Sequence, residues 1–242
     1  MTSDSTTAVV SRLYRIMNSV ENNIGGGEGV EGLYGSITGA SMERVLHSME
    51  TCAGMNTKKE PVVFMDVGSG LCRPLVHALV TGRASSCTGV EVDSIKCVKA
   101  EAFCSQIKRM IVRKGMNLKS DWDMDIVCSG IESLATLNPV THVYSFWEGV
   151  PVDARIGLGT LFKESKTVTS ICVVQRAMRS QNPAECMDEE YGFGPLTLVD
   201  SFRVSMSGSG RSFMAYVFIK EKTPKNIIQS MFVGSKRLRD SS

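Results

Sequence analysis

The sequence has little of what builds metal sites or disulfide frameworks. It holds three histidines, and none of its eight cysteines stands in Cys-x-x-Cys spacing, which argues against a structural zinc site. Of the eight cysteines (Cys52, Cys72, Cys87, Cys97, Cys104, Cys128, Cys172 and Cys186), several lie inside apolar runs, where cysteine packs as a small hydrophobe. They read as reduced thiols of an intracellular protein. No run of about 18 apolar residues occurs, so no membrane-spanning helix is expected. The N-terminus lacks the basic-then-apolar pattern of a secretory signal. An excess of one charge is missing too. Twenty-seven Lys and Arg stand against 25 Asp and Glu, a net charge of +2, unlike a protein that coats nucleic acid over its whole surface. No internal repeat is visible.

What is present is ordinary globular material. With 242 residues, 43% hydrophobic and 21% charged, one large domain with a sizeable core is expected. Met1 to Ala8 is polar and Ser/Thr-rich and reads as a disordered tail. Val9 to Val20 places Leu13, Ile16, Met17 and Val20 on one helical face. Gly25-Gly26-Gly27-Glu28-Gly29 then breaks the chain, with no preceding strand and no following Lys to make a phosphate cradle. Ser41 reads as the N-cap of a helix to about Cys52.

The organising stretch is Pro61 to Val92. A buried-strand run from Val62 to Val67 carries Asp66 at its end and leads into the turn Gly68-Ser69-Gly70. Pro74 fits a first helical turn, Leu75, Val76, Leu79 and Val80 form a helix face, and Gly82 stops it. Cys87 to Val92 is a second strand, ending in Glu91, 25 positions after Asp66. Glycines at the turn let backbone approach a ligand closely. Asp66 suits a ligand ammonium, and Glu91 suits a pair of ribose hydroxyls. The spacing also suits a dinucleotide, but Arg73 stands where the third glycine of Gly-x-Gly-x-x-Gly belongs.

Asp93 reads as the cap of a helix to about Lys114, with Ile95, Val98, Ala102, Ile107 and Met110 or Ile111 inward and a basic outer face. Strands follow at Asp125 to Ser129, His142 to Phe146 and Val168 to Val174, with a helix over Asp153 to Phe162. Gln181 to Pro195 reads as an irregular excursion, and Leu196 to Ser205 and Phe213 to Ile219 as a closing hairpin. The expected fold is α/β: a seven-stranded, mostly parallel Rossmann-like sheet with a C-terminal antiparallel hairpin and helices on both faces. That arrangement is how the common S-adenosylmethionine-dependent methyltransferases are built. The expected division is a tail and short helix over 1–30, the methyltransferase domain over 31–222, and a basic tail over 223–242.

Four places resemble the disruptor-of-telomeric-silencing type of histone lysine methyltransferase, which lacks a SET domain. Tyr34-Gly35 resembles the start of its Tyr-Gly-Glu-Thr loop over the cofactor. Phe64-Met65-Asp66-Val67-Gly68-Ser69-Gly70-Leu71-Cys72-Arg73 resembles its Phe-Val-Asp-Leu-Gly-Ser-Gly-Val-Gly-Gln. Thr88-Gly89-Val90-Glu91 resembles its Tyr-Gly-Val-Glu. Val204-Ser205-Met206-Ser207-Gly208, with Ser212-Phe213, resembles its Val-Ser-Trp-Thr-Gly and Ser-Tyr pieces. The resemblance covers about Tyr34 to Lys220. It implies S-adenosyl-L-methionine as cofactor, with S-adenosyl-L-homocysteine as product, held by Tyr34, Gly35, Ser36, Asp66, Gly68, Ser69, Gly70, Cys72, Arg73, Glu91, Ile131 and Glu132.

The chain departs from that family at two places. Ile131 follows Gly130 where the family has Asp on the adenine, which passes that role to Glu132. Tyr144-Ser145-Phe146-Trp147 replaces its Asn-Asn-Phe. Ser145, Phe146, Trp147 and Phe213 are then the expected catalytic channel. The implied activity is methylation of a lysine in the globular core of histone H3 on nucleosomes, in the nucleus, with DNA contact through the basic tail and no membrane. The alternatives are a methyltransferase of RNA or another protein, and a non-catalytic cofactor-binding module.

Overall fold

A computed structural model describes residues 3–24, 36–116, 122–207 and 212–221. Seven strands form one sheet: β1 (Val63–Val67), β2 (Ser86–Glu91), β3 (Met124–Cys128), β4 (His142–Phe146), β5 (Ser170–Gln175), β6 (Leu196–Ser205) and β7 (Ser212–Lys220). Their order is β3-β2-β1-β4-β5-β7-β6. The first five run parallel, and β7 enters antiparallel between β5 and β6. The chain therefore reverses its strand order beside β1, and the crevice at that switch point is where open α/β sheets bind ligands.

Six helices cover the sheet: α1 (Ser3–Ile24), α2 (Gly39–Cys52), α3 (Arg73–Val80), α4 (Ser94–Arg113), α5 (Val152–Glu164) and α6 (Pro183–Tyr191). The first four build one apolar layer against one face, and α5 and α6 build a second against the other. β1 lies under both layers, so its run is apolar almost throughout. β3, at the edge, has no buried residue.

Four local expectations are corrected. The first helix begins at Ser3, not Val9, so Ser3 to Ala8 are no tail. Packing of Leu13, Ile16, Met17 and Val20 fixes the helix, and extending it by further turns costs little once it is nucleated. The N-cap of α2 is Thr38, whose Oγ1 accepts from Ser41 N–H at 3.3 Å, while the Ser41 hydroxyl accepts from Ser205 N–H on β6. On α4 the buried stripe is Cys97, Ala100, Phe103, Cys104, Ile107 and Ile111, whereas Ile95, Val98 and Ala102 face outward. The apolar residues of its first half lie on both sides of the helix, so periodicity alone selected the wrong one. Finally, the supposed irregular excursion contains α6. Its signals were present: Asn182 caps it, Pro183 opens it, and Gly192 ends it at φ +73°.

Lys220 also proves to be structural. It closes β7, and its Nζ donates to the carbonyls of Phe162, Lys163 and Ser165 at the end of α5, at 2.6–2.9 Å. The basic run Lys236-Arg237-Leu238-Arg239 lies outside the described residues.

Candidate functional site

The carboxyl ends of β1, β2 and β4 meet at one edge, and the turn after β1 crosses it. Gly68 and Gly70 have φ of +77° and +50°, which a side chain rarely tolerates. No atom stands within 4 Å of where a Cβ on Gly70 would point, so the turn borders open space. The turn is pinned from beneath. Gly68 and Ser69 N–H donate to Val90 O at 2.9 and 3.1 Å, and Cys72 N–H donates to Ser69 O at 2.7 Å.

Glu91 is held on two sides. Its Oε2 accepts from Gly70 N–H at 2.9 Å and its Oε1 from Asp93 N–H at 3.0 Å. A nearly buried carboxylate is thereby fixed in place beside the open turn, each oxygen keeping one lone pair for a further donor. Asp66 is 2% exposed. Burial, and then the nearby Glu91 carboxylate, push its pKa well above the ordinary carboxylate range. Two acids this close with little water call for a cation, which is what a ligand ammonium would supply.

The edge also depends on a residue the sequence reading did not single out, Gly89 on β2. A Cβ there would lie 2.8 Å from Ser69 Oγ and 3.0 Å from Cys72 Sγ. Only glycine lets the turn rest on β2. The sole sequence trace of this is a glycine inside a strand run, which often marks close backbone approach.

The other expected residues are placed as follows. Tyr34 and Gly35 lie outside the described residues. Ser36 follows them, and its carbonyl accepts from Ser207 N–H at 2.8 Å while Ile37 bridges Met206. The segment ahead of α2 is thus docked on the closing hairpin. Cys72 opens α3 at φ 61° with its buried thiol under the turn, against Ser69 Oγ at 3.6 Å. Glu132 is exposed beyond β3, and its carboxylate folds over Gly130. Ile131 is a buried anchor of the second apolar layer.

Three of the expected residues have partners away from the turn. The Arg73 guanidinium turns away from the glycine turn toward α1, where it meets Glu21, Asn18 Oδ1 at 2.7 Å and the Tyr14 ring at 5.2 Å. A buried cation needs a partner, and α1 supplies one. The Ser145 hydroxyl donates to Val67 O at 2.9 Å, tying β4 to β1, and is fully buried. Trp147 is likewise fully buried, with its ring 4.8 Å from Tyr191 and 6.1 Å from Phe193, in the layer under α5 and α6. Phe146 packs against the first apolar layer and Trp147 lies in the second, so the two side chains do not line one channel. Phe146 does meet Phe213, edge to face at 5.2 Å between ring centres. Glu148, just beyond, pairs with Arg176 at 3.0 Å, joining the ends of β4 and β5.

A polar network anchors the frame behind the turn. The His77 ring, buried on α3, contacts Tyr14 Oη at 3.3 Å and Glu43 Oε2 at 2.9 Å, and Arg83 grips Glu43 at 2.6 and 3.0 Å. Burial lowers the His77 pKa, against the opposing pull of the Glu43 carboxylate. Burial raises Glu43, but the bonds from His77 and Arg83 outweigh it and bring its pKa down to about 2. Among the described residues no group of three or more His, Cys, Asp or Glu is placed to hold a metal ion, and no helix is long and apolar enough to cross a membrane.

No protein-family model matches the sequence, and it has no significant match among curated proteins. Solved structures do match. A putative RNA methyltransferase from Pyrococcus horikoshii aligns at TM-score 0.53 with 15% identity, over 88% of this chain and 100% of that one. Magnesium protoporphyrin IX methyltransferase from Synechocystis PCC 6803, with bound SAM, aligns at 0.50 with 10% identity, over 76% and 81%. The cyclopropane synthase MmaA2 from Mycobacterium tuberculosis aligns at 0.50 with 10% identity, over 75% and 83%. The likeness is one of fold, and the fold is that of a Rossmann-like methyltransferase.

Proposed function

We propose that the chain is an S-adenosyl-L-methionine-dependent methyltransferase. The observation that carries this is Glu91. Its carboxylate is fixed by Gly70 and Asp93 beside an open glycine turn, with the buried acid Asp66 close by. These residues fit the cofactor. Glu91 would take the ribose hydroxyls, Gly68 to Gly70 would admit the backbone-hugging part of the ligand, and Asp66 would favour its ammonium. Glu132, whose carboxylate lies over Gly130, would face the adenine. The cofactor supplies a methyl group already activated on a sulfonium.

The protein's own contribution is positioning and exclusion of water. The Phe146–Phe213 pair offers an apolar wall at the end of β4. Such a wall disfavours a charged amine and holds it as the neutral nucleophile. We therefore read the acceptor as a lysine, and, from the resemblance of the glycine turn and the Val204 to Phe213 hairpin, as a lysine in the globular core of histone H3 on nucleosomes, in the nucleus. Neither Ser145 nor Trp147 belongs to that wall.

Calorimetry with S-adenosylmethionine tests the cofactor half: binding by the native chain, and its loss in Gly68→Arg, is the expected result. Incubation with nucleosomes and, in parallel, with total RNA, each with labelled cofactor and read by mass spectrometry, tests the acceptor. Label on H3 lysine is expected. Label on RNA only, or on no histone while cofactor binding is intact, removes the histone reading and leaves the cofactor reading standing.

A further inference from the structure

The outer face of α4 carries aliphatic side chains in solvent. Ile95, Val98 and Val112 are 66%, 67% and 65% exposed, far more than a core former accepts. Single exposed aliphatics need no explanation. These belong to a pattern. Ile95, Val98, Ala102, Ser105, Arg109 and Val112 are all exposed and recur at intervals of three and four. That is the a/d spacing of a helix seam. The stripe lies opposite Ala100, Ile107 and Ile111, which bind the helix to its own domain. It runs for about 26 Å at 1.5 Å per residue.

From this stripe we infer that α4 pairs antiparallel with α4 of a second copy, about a two-fold axis near its middle. The stripe is self-complementary. Antiparallel pairing sets Ile95 against Val112 of the second copy, and Val98 against the aliphatic stem of Arg109. Ala102 meets Ser105 at the centre, where small side chains let two helices approach closely. On one flank Glu101 falls alongside Lys108 of the second copy, and symmetry repeats the pair, as an isologous interface requires. A parallel pairing would set Arg109 on Arg109. The exposed aliphatic residues give nucleic-acid bases no ring to stack on. α4 points its N-terminus to the cofactor edge, so the two copies carry their edges at opposite ends of the seam. The inference does not rest on the catalytic reading.

Sedimentation of the full chain, from about 1 to 200 µM, tests this in the range where a small interface associates. A concentration-dependent dimer is expected. Ile95→Asp with Val98→Asp should abolish it, with circular dichroism confirming the fold. Glu101→Lys and Lys108→Glu should each weaken it roughly tenfold, and the two together should restore it, because only an antiparallel seam couples them across copies. A monomer at every concentration overturns the inference, as does a dimer indifferent to the aspartates. A dimer weakened by both single reversals but not restored by the pair overturns it too.

Discussion

Gly89→Ala is the most incisive test of how this site is built. The position has an ordinary backbone conformation, so strain is not at issue; only space is. The added methyl would meet Ser69 Oγ at 2.8 Å, Cys72 Sγ at 3.0 Å and Ser69 Cβ at 3.1 Å. These are short side chains on a pinned turn, so the turn itself must lift by a few tenths of an ångström. Overpacking of this kind costs about 1–3 kcal/mol. For a chain of this size that is a fall of about 2–12 °C in Tm. The lift also carries Gly70 N–H away from Glu91, now 2.9 Å distant. Loss of that bond should weaken S-adenosylmethionine binding by about tenfold, or ~1.4 kcal/mol. Differential scanning fluorimetry gives the first number and calorimetry the second. Ser69→Ala with Cys72→Gly removes the two nearest atoms, and the glycine also relieves the φ of 61° at position 72. In that background Gly89→Ala should cost little. If Gly89→Ala leaves Tm and affinity unchanged, or costs the same in both backgrounds, the close approach of turn and strand is not what places the site.

Asp66→Asn separates stability from function. Because the folded-state pKa of Asp66 is raised, the folded protein loses stability relative to the unfolded chain as pH rises toward that pKa. The variant should therefore match or exceed the native Tm at pH 7, by a margin that shrinks toward pH 4, while binding S-adenosylmethionine more weakly; a Tm well below native at pH 7 would show that the charge is not the cost. Glu43 works in the opposite sense. Its pKa falls from an ordinary 4.5 to about 2, so its contribution is present above pH 4.5 and is lost as pH drops toward 2. Glu43→Gln should cost about 1–3 kcal/mol at pH 7, and the gap from native in urea melts should close in acid. Trp147→Ala should destabilise by about 3–5 kcal/mol as a core deletion, whereas Trp147→Phe should cost far less, since the buried indole Nε1 has no hydrogen-bond partner to lose. Equal catalytic losses with unchanged Tm for both would return Trp147 to a channel. Phe146→Ala is expected to do what Trp147→Ala does not: lower turnover with only a small change in melting.

Strands, the glycine turn and the acids at strand ends were legible because each is a local signal. A strand covered on both faces must be apolar throughout, and a turn that meets a ligand must carry glycine, so β1, Gly68, Gly70 and Glu91 stand out in sequence. Helix existence was nearly as plain, apart from α6, whose Asn-Pro opening and terminal glycine were read as loop. Helix faces were not. On α4 either side offers aliphatic residues, and which one meets the sheet depends on where β3 and α1 lie.

The parallel sheet, the glycine-turn edge and the closing hairpin are written into the chain locally, since they follow from periodicity and from residues with special backbone needs. What the polar and aromatic residues near that edge do depends on long-range packing. Arg73 faces α1 because a buried cation takes the nearest acid, and that acid lies 52 positions away in the chain. Ser145 bonds β1 because parallel strands set it beside Val67. Trp147 fills the layer under α5 and α6, while its neighbour Phe146 meets Phe213. Each of these outcomes depends on which distant residue is brought close, and no local pattern carries that.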